Sequence, residues 1–223
     1  MASTANRKVY QLKVSLRGIR PPIWRRVQVP ATSTLAELHG ILQSVLGWTN
    51  SHLHDFECRG EHYGMPSPED FVEVIDEAGV RLGDLGLRAR SRIRYLYDFG
   101  DSWEHDIVVE QTLDVDPDVT YPLCLAGKRA CPPEDCGGVG GYENLIEALN
   151  RAADPNQKAS RGDREFVKWA GPFSPEHFSL DEANGSLRAV GNGRRLAKRQ
   201  PTKKRSPKTW ILPNGKLIRL VKG

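Results

Sequence analysis

Hydrophobic and polar residues alternate strictly from Tyr10 to Arg17. Tyr10, Leu12, Val14 and Leu16 fall on one face, and Gln11, Lys13, Ser15 and Arg17 on the other. A period of two predicts a half-buried strand. Gly18-Ile19-Arg20-Pro21-Pro22 interrupts it, and Ile23, Arg25, Val27 and Val29 then share one face of a second strand, so the pair reads as a hairpin with a long loop. Thr34-Leu35-Ala36-Glu37 has the spacing of a capping box: a threonine oxygen to receive a backbone N–H, and a glutamate three residues on to accept one back. Leu35, Leu38, Leu42, Val45 and Leu46 follow at helical spacing and Gly47 suits the C-cap, which predicts a helix over 35–46.

The period of two returns at 52–58, where His52, His54, Phe56 and Cys58 would share a face of a third strand. Residues 64–91 are turn-rich, with a short apolar piece from Phe71 to Ile75. Ile93, Tyr95, Tyr97 and Phe99, then Trp103, His105, Ile107 and Val109, predict a second hairpin over 92–110, turning at Asp98-Phe99-Gly100-Asp101-Ser102. Residues 114–141 hold proline, glycine and three cysteines with little periodicity. Helical spacing resumes at Tyr142, Leu145, Ile146 and Leu149, with a further helical piece around Asp163 to Ala170 and a last segment over Asp181 to Leu187. Near the end, Trp210-Ile211-Leu212 and Leu217 to Val221 flank Pro213-Asn214-Gly215 as a small hairpin. A hairpin followed by a helix suggests a β-grasp-like start, and the whole reads as α+β, a mixed sheet with helices. The expected organisation is a domain over 1–187 and a basic tail over 188–223. Within the domain, the β-grasp-like part covers about 9–110, and a Cys-rich loop with helices covers 111–187.

Charge divides the chain more sharply than hydropathy does. From Arg188 onward there are 12 Lys and Arg and no acid, while the preceding residues hold 20 Lys and Arg against 28 Asp and Glu. An acidic body therefore carries a basic tail. Such a block repels itself, and its simplest partners are nucleic acid or an acidic protein surface, the body included. Arg194, Arg195, Lys198, Arg199, Lys203, Lys204, Arg205 and Lys208 are the expected phosphate contacts. The 223 residues suit one domain with appendages, and no run of about 18 apolar residues would span a membrane. Met1 to Gln11 has no apolar export core, so a cytoplasmic location and free thiols are expected.

Four groups of residues carry candidate chemistry. Cys124, Cys131 and Cys136 lie in a segment rich in Gly and Pro whose loops would let them converge, and thiolates suit zinc, with His52, His54 or His105 as the fourth ligand and His54 preferred. The competing reading is three small buried residues. Asp98, Asp101, Glu104 and His105 crowd one turn, and His52, His54 and Asp55 sit on the third strand; if the strands are neighbours, a pocket of Asp98, Asp101, His105 and His54 could host a metal-activated water and hydrolysis. Against that, Asp98 and Asp101 would simply hold the turn, with His54 and His105 as core residues. Gly137-Gly138-Val139-Gly140-Gly141 before a helix offers backbone donors for an anion, but lacks the Lys-Ser/Thr of a P-loop, so a turn needing positive φ is the plainer account. Trp24-Arg25-Arg26 could stack on bases, yet Arg25 shares the face of Ile23 and Val27 and is expected to pair inward with Asp98 or Asp101.

Several longer strings carry a family resemblance. They are Pro22-Ile23-Trp24-Arg25-Arg26, Leu38-His39, Gly47-Trp48, His52-Leu53-His54-Asp55-Phe56, the run Tyr97 to His105, and Cys124-Leu125-Ala126-Gly127 leading to Cys131-Pro132-Pro133-Glu134-Asp135-Cys136-Gly137-Gly138 and Gly141-Tyr142. Together, from about Tyr10 to Leu187, the chain resembles the plasmid pRiA-type ORF-three-like family, whose members also carry the labels insertion-sequence passenger and TnpR family protein. The resemblance implies a compact α+β domain found on plasmids, transposons and chromosomes, and little mechanism. The TnpR label suggests a resolvase, but no nucleophilic serine in a recombinase context is present, so it implies association with mobile DNA only. The expected function is a non-enzymatic accessory protein of mobile DNA, zinc-stapled and contacting nucleic acid through its tail. A metal-dependent hydrolase and a protein-interaction module presenting Trp48 are the alternatives.

Overall fold

The computed structural model describes residues 8–68, 72–193, 209–211 and 217–219. The chain divides into two compact units, Met1–Val190 and Gly191–Gly223. The first unit begins with β1 (Lys8–Leu16), β2 (Trp24–Pro30) and α1 (Leu35–Leu46). There follow β3 (His54–Cys58), β4 (Glu61–Gly64), β5 (Val74–Asp76), a short 3-10 turn at Leu82–Leu85, β6 (Arg92–Tyr97), β7 (Trp103–Asp114) and β8 (Leu123–Lys128). Three helices close the list: α2 (Gly138–Ala153), α3 (Arg161–Ala170) and α4 (Leu180–Gly193). The eight strands make one open mixed sheet in the order β5-β4-β3-β6-β7-β1-β2-β8. Only β4–β5 is parallel. The fold class is therefore α+β. The hairpin and helix of the β-grasp-like start are present, and the strand that returns beside β1 is β7, antiparallel to it.

Alternation explains which side of the sheet is covered. Leu12, Val14, Ile23, Val27, Val29, Ile93, Tyr95, Ile107 and Val109 are buried to about the last atom. The opposite side carries ion pairs such as Arg26 with Glu110 (2.6 Å) and Arg94 with Glu57 (3.4 Å), as a sheet with one wet face should. α1 lies across the covered side. Its capping box is complete: the Glu37 N–H donates to Thr34 Oγ1 and the Thr34 N–H to Glu37 Oε2, both at 3.2 Å. Gly47, at φ 81°, ends it in the left-handed region. Leu35, Leu38 and Leu42 are fully buried beneath it, each stabilising the fold by roughly 1.5–3 kcal/mol.

Several expectations are corrected. β3 starts at His54, so His52 lies in the loop before it. Phe99 leaves the face of Tyr95 and Tyr97 because the turn has begun, and it is half exposed. The segment thought irregular contains edge strand β8, paired with β2. Trp48, expected on the surface, is buried, and its indole N–H donates to Pro132 O (2.8 Å). Trp24 is flanked by Lys13 and Arg26, each 5.5 Å from its ring. Arg25 faces inward as expected but meets no carboxylate among the described residues; its partners are carbonyl oxygens and the Cys131 thiol. In the second unit, Thr209–Ile211 (β9) and Leu217–Arg219 (β10) pair antiparallel, as the small hairpin requires. The basic residues from Arg194 to Lys208 lie outside the described residues. Among the described residues no helix is long and apolar enough to cross a membrane.

Candidate functional site

Three segments far apart in sequence are strapped together at one end of β3 and β6. The loop 48–53 enters β3; the turn 98–102 joins β6 to β7; the loop 131–137 enters α2. The Asp98 N–H donates to Leu53 O (2.9 Å), which fixes the first two segments. Ser51 N–H donates to the Tyr97 hydroxyl (3.0 Å), and that hydroxyl donates onward to Glu134 Oε1. Burial and the Glu134 carboxylate raise the Tyr97 pKa, so the phenol stays a donor. Glu134 Oε2 also receives the Thr49 N–H (3.0 Å). Asp101 Oδ2 accepts the Gly137 N–H (3.0 Å) at the start of α2. The backbones approach so closely here that a Cβ on Gly138, at φ 68°, would fall 2.5 Å from Asp101 O. The glycine run therefore serves this junction, and the anion at the head of α2 is the protein's own Asp101.

These straps converge on His52. Its Nδ1 lies 3.5 Å from Asp98 Oδ2 and its Nε2 lies 3.2 Å from Asp135 Oδ1. Nε2 is shielded from solvent, yet it makes no hydrogen bond, since Asp135 approaches out of line. Among the described residues, this is the group of three His, Cys, Asp or Glu side chains whose ligand atoms gather within 4.8 Å of one another. The group runs from inside to outside: the Asp98 side chain is 7% exposed and that of Asp135 is 68% exposed. Asp98 and Asp135 also sit at φ 58° and 63°, in the left-handed region. Asp tolerates that region better than most residues, but it still costs energy, and strain of this kind collects at binding sites.

The predicted four-residue pocket is not assembled; of its members only Asp98 belongs to this group. Asp98 does hold the turn as well, through Oδ1 to the Gly100 N–H (2.9 Å). His105 is fully buried; its Nδ1 donates to Tyr95 O (3.3 Å), and desolvation lowers its pKa to about 4, so it is a neutral core residue. His54 is buried against Glu77 (2.8 Å) and stacks on His39 at 3.5 Å between ring centroids. The cysteine site is not assembled either. Cys124 lies on β8 with its thiol 3.7 Å from Ala126 O, Cys131 lies 3.6 Å from the Arg25 guanidinium, and Cys136 turns toward Gly138 O (3.9 Å). Each is buried separately, and burial pushes Cys131 to about 11 and Cys136 to about 12, which keeps both protonated at neutral pH. Sequence reasoning missed Asp135, although it stands inside one of the strings that carry the family resemblance. It named His52 as an option for the cysteines and on the strand beside the Asp/His pocket, but not among that pocket's four residues.

A second histidine group adjoins the first through Asn50. His39 Nε2–H donates to Asn50 Oδ1 (2.7 Å), and its Nδ1 accepts from the Tyr95 hydroxyl (2.8 Å). Tyr95 accepts from Gln43 Nε2 (2.9 Å), and Gln43 Oε1 accepts the Asn50 N–H (3.0 Å), closing a ring of four residues. This assignment needs a neutral His39, and burial, reinforced by His54, lowers its pKa to about 4.

Residues 8–182 match the family model described as plasmid pRiA4b ORF-3-like protein. The chain is 41% identical over 167 residues to an uncharacterized protein, y4hQ, of Sinorhizobium fredii, covering 73% of this chain and 81% of that one. It is also similar to the crystal structure of MM3350, a protein of unknown function from Methanosarcina mazei Go1. The TM-score is 0.71 at 38% identity, covering 79% of this chain and 96% of that one.

Proposed function

This chain belongs to the plasmid pRiA4b ORF-3-like family, and from that premise we propose that its domain binds a divalent cation on His52, Asp98 and Asp135. One observation carries the reading: three of the strings in which the family resemblance lies supply one ligand each, and the fold brings those ligands within 4.8 Å. One imidazole with two carboxylates suits a first-row ion such as zinc or manganese. Three protein ligands, one of them largely exposed, leave room for water, and that is the arrangement metal-assisted hydrolysis uses. His52 and the buried Asp98 would fix the ion, and Asp135 would face the solution.

Calorimetric titration with Zn2+ and Mn2+ tests this. One site per chain is expected, weakened at least about tenfold by Asp135→Asn, whose exposed side chain makes that variant safe for the fold. Binding that survives Asp135→Asn and His52→Ala but disappears with Cys131→Ser and Cys136→Ser would refute the site and restore the cysteine one.

A second reading rests on a different observation, the segregation of charge. We propose that the tail residues Arg194, Arg195, Lys198, Arg199, Lys203, Lys204, Arg205 and Lys208 contact nucleic acid without sequence preference, the acidic body limiting contact to the tail. Replacing Lys203, Lys204 and Arg205 with alanine should lower affinity for every DNA sequence alike and flatten the dependence on salt. An unchanged salt slope would end this reading.

A further inference from the structure

Among the described residues two arginines are buried, Arg25 at 3% and Arg129 at 4% exposure, and they are treated differently. Arg129 has a counter-charge, Glu176 Oε1 at 2.7 Å. Arg25 has none. Its Nε donates to Val45 O (2.8 Å), and its Nη1 to Trp24 O (2.9 Å) and Lys128 O (3.1 Å). Nη2 reaches only the Cys131 thiol, at 3.6 Å. A guanidinium has five N–H donors, so one on Nη2 is left over and another has a weak acceptor. Val45 O lies in the last turn of α1, whose dipole supplies a partial negative charge and no more. A full buried charge needs a full counter-charge or costs several kcal/mol.

Arg25 lines a cavity of about 460 Å3, bounded by the end of α1, the loop 130–134 and the segment 170–186. That volume is typical of a small-molecule site. Its walls are polar and apolar in about equal measure, with Trp48, Pro132, Phe173 and Phe178 supplying the apolar side. Phe178 packs 4.5 Å from the guanidinium carbon. The approach is purpose-shaped by Gly127, where a Cβ would meet Phe178 at 2.6 Å and Arg25 Cδ at 2.8 Å. Both acids in the lining are engaged elsewhere: Glu134 with Tyr97 and Thr49, Glu182 with His177 (3.0 Å).

We propose that this cavity binds a small molecule with an oxyanion head, a carboxylate or phosphate, on Arg25 and an aromatic or apolar body against Trp48, Phe173 and Phe178. The head supplies the charge that the protein withholds, and the body displaces water from the aromatic walls. None of the three proposed cation ligands lines the cavity, so this site stands or falls apart from that reading.

Calorimetry on the full chain with phenyl phosphate, benzoate and uncharged benzyl alcohol decides it. An anionic probe should bind with a Kd of about 1 mM or tighter, and benzyl alcohol about tenfold more weakly. The tighter of the two anions names the head group. Ser186→Trp fills the cavity from its exposed rim without touching the Arg25 contacts, and it should abolish binding with the melting temperature held. Arg25→Gln should do the same; if that variant unfolds, Ser186→Trp alone decides. Anions that bind no better than benzyl alcohol, or binding that survives Ser186→Trp, would overturn the proposal and leave Arg25 as a cap on α1.

Discussion

The ring of His39, Asn50, Gln43 and Tyr95 and the group of His52, Asp98 and Asp135 share one loop but treat their polar atoms in opposite ways. In the ring both imidazole nitrogens have partners, and the donors and acceptors fall in a single consistent order. In the group the ligand atoms gather, yet His52 Nε2 has no hydrogen bond and Asp135 stands out into solvent. A closed network has nothing left to offer and serves to hold the fold. A gathered but unsatisfied one keeps its binding capacity, and the two strained aspartates cost stability for it. Being rich in histidine and acid therefore says little; how far each atom is satisfied separates scaffold from site.

The largest effect expected from this contrast is on acid stability. His39 and His105 are held neutral, with pKa values lowered from 6.5 to about 4. Below pH 6.5 the unfolded chain takes up protons that the folded one refuses. Stability is therefore complete above about 6.5 and falls as pH drops toward 4, by up to roughly 3 kcal/mol per histidine. Urea unfolding at pH 7, 6, 5 and 4 measures it. Asp135→Asn should leave that profile unchanged, because the ring does not include it. A flat profile in the wild type would mean that the core histidines take up protons as readily in the folded chain as in the unfolded one.

Breaking the ring directly comes next. Tyr95→Phe removes one oxygen and strands two buried groups, His39 Nδ1 and Gln43 Nε2. A loss of about 2–3 kcal/mol is expected, read as a lower urea midpoint at constant slope. Asp98→Asn should cost less, since an amide oxygen can still accept from the Gly100 N–H, while the affinity for an added metal falls.

The scaffold side of this comparison was largely legible in the sequence and the site side was not. Thr34, Glu37 and Gly47 are local signals, and α1 begins and ends where they say. Period-two alternation located β1, β2, β6 and β7 because each has one wet face and one dry one. It missed β8, an edge strand in which Cys124 alone is deeply buried, so no period exists to read. It carried Phe99 one step too far because alternation cannot see a turn begin. His52, Asp98 and Asp135 lie in three segments whose meeting depends on the Leu53–Asp98 and Tyr97–Glu134 bonds, and nothing local encodes either. The cysteines misled for the converse reason: nearness in sequence suggested a cluster, whereas the β8 edge, the Arg25 contact and the start of α2 draw the thiols to different places.

The smallest effect separates the two regions most cleanly. Asn50 and Asp135 both hold left-handed backbone, at φ 56° and 63°. Glycine relieves left-handed strain of about 1–2 kcal/mol but costs about 0.5–1 kcal/mol through the entropy of the unfolded chain, so on backbone grounds either substitution should stabilise by at most about 1 kcal/mol. At Asp135 no aligned hydrogen bond to His52 opposes the gain in the metal-free protein. At Asn50 the same change removes the acceptor for His39 Nε2–H, a buried donor, and that loss of about 1–3 kcal/mol exceeds the gain. Asp135→Gly should therefore melt slightly higher than wild type and lose the stabilisation that added Zn2+ brings, while Asn50→Gly melts lower and keeps it. Equal shifts of the same sign in a paired thermal melt, with and without Zn2+, would show that the contrast between closed scaffold and open site is drawn in the wrong place.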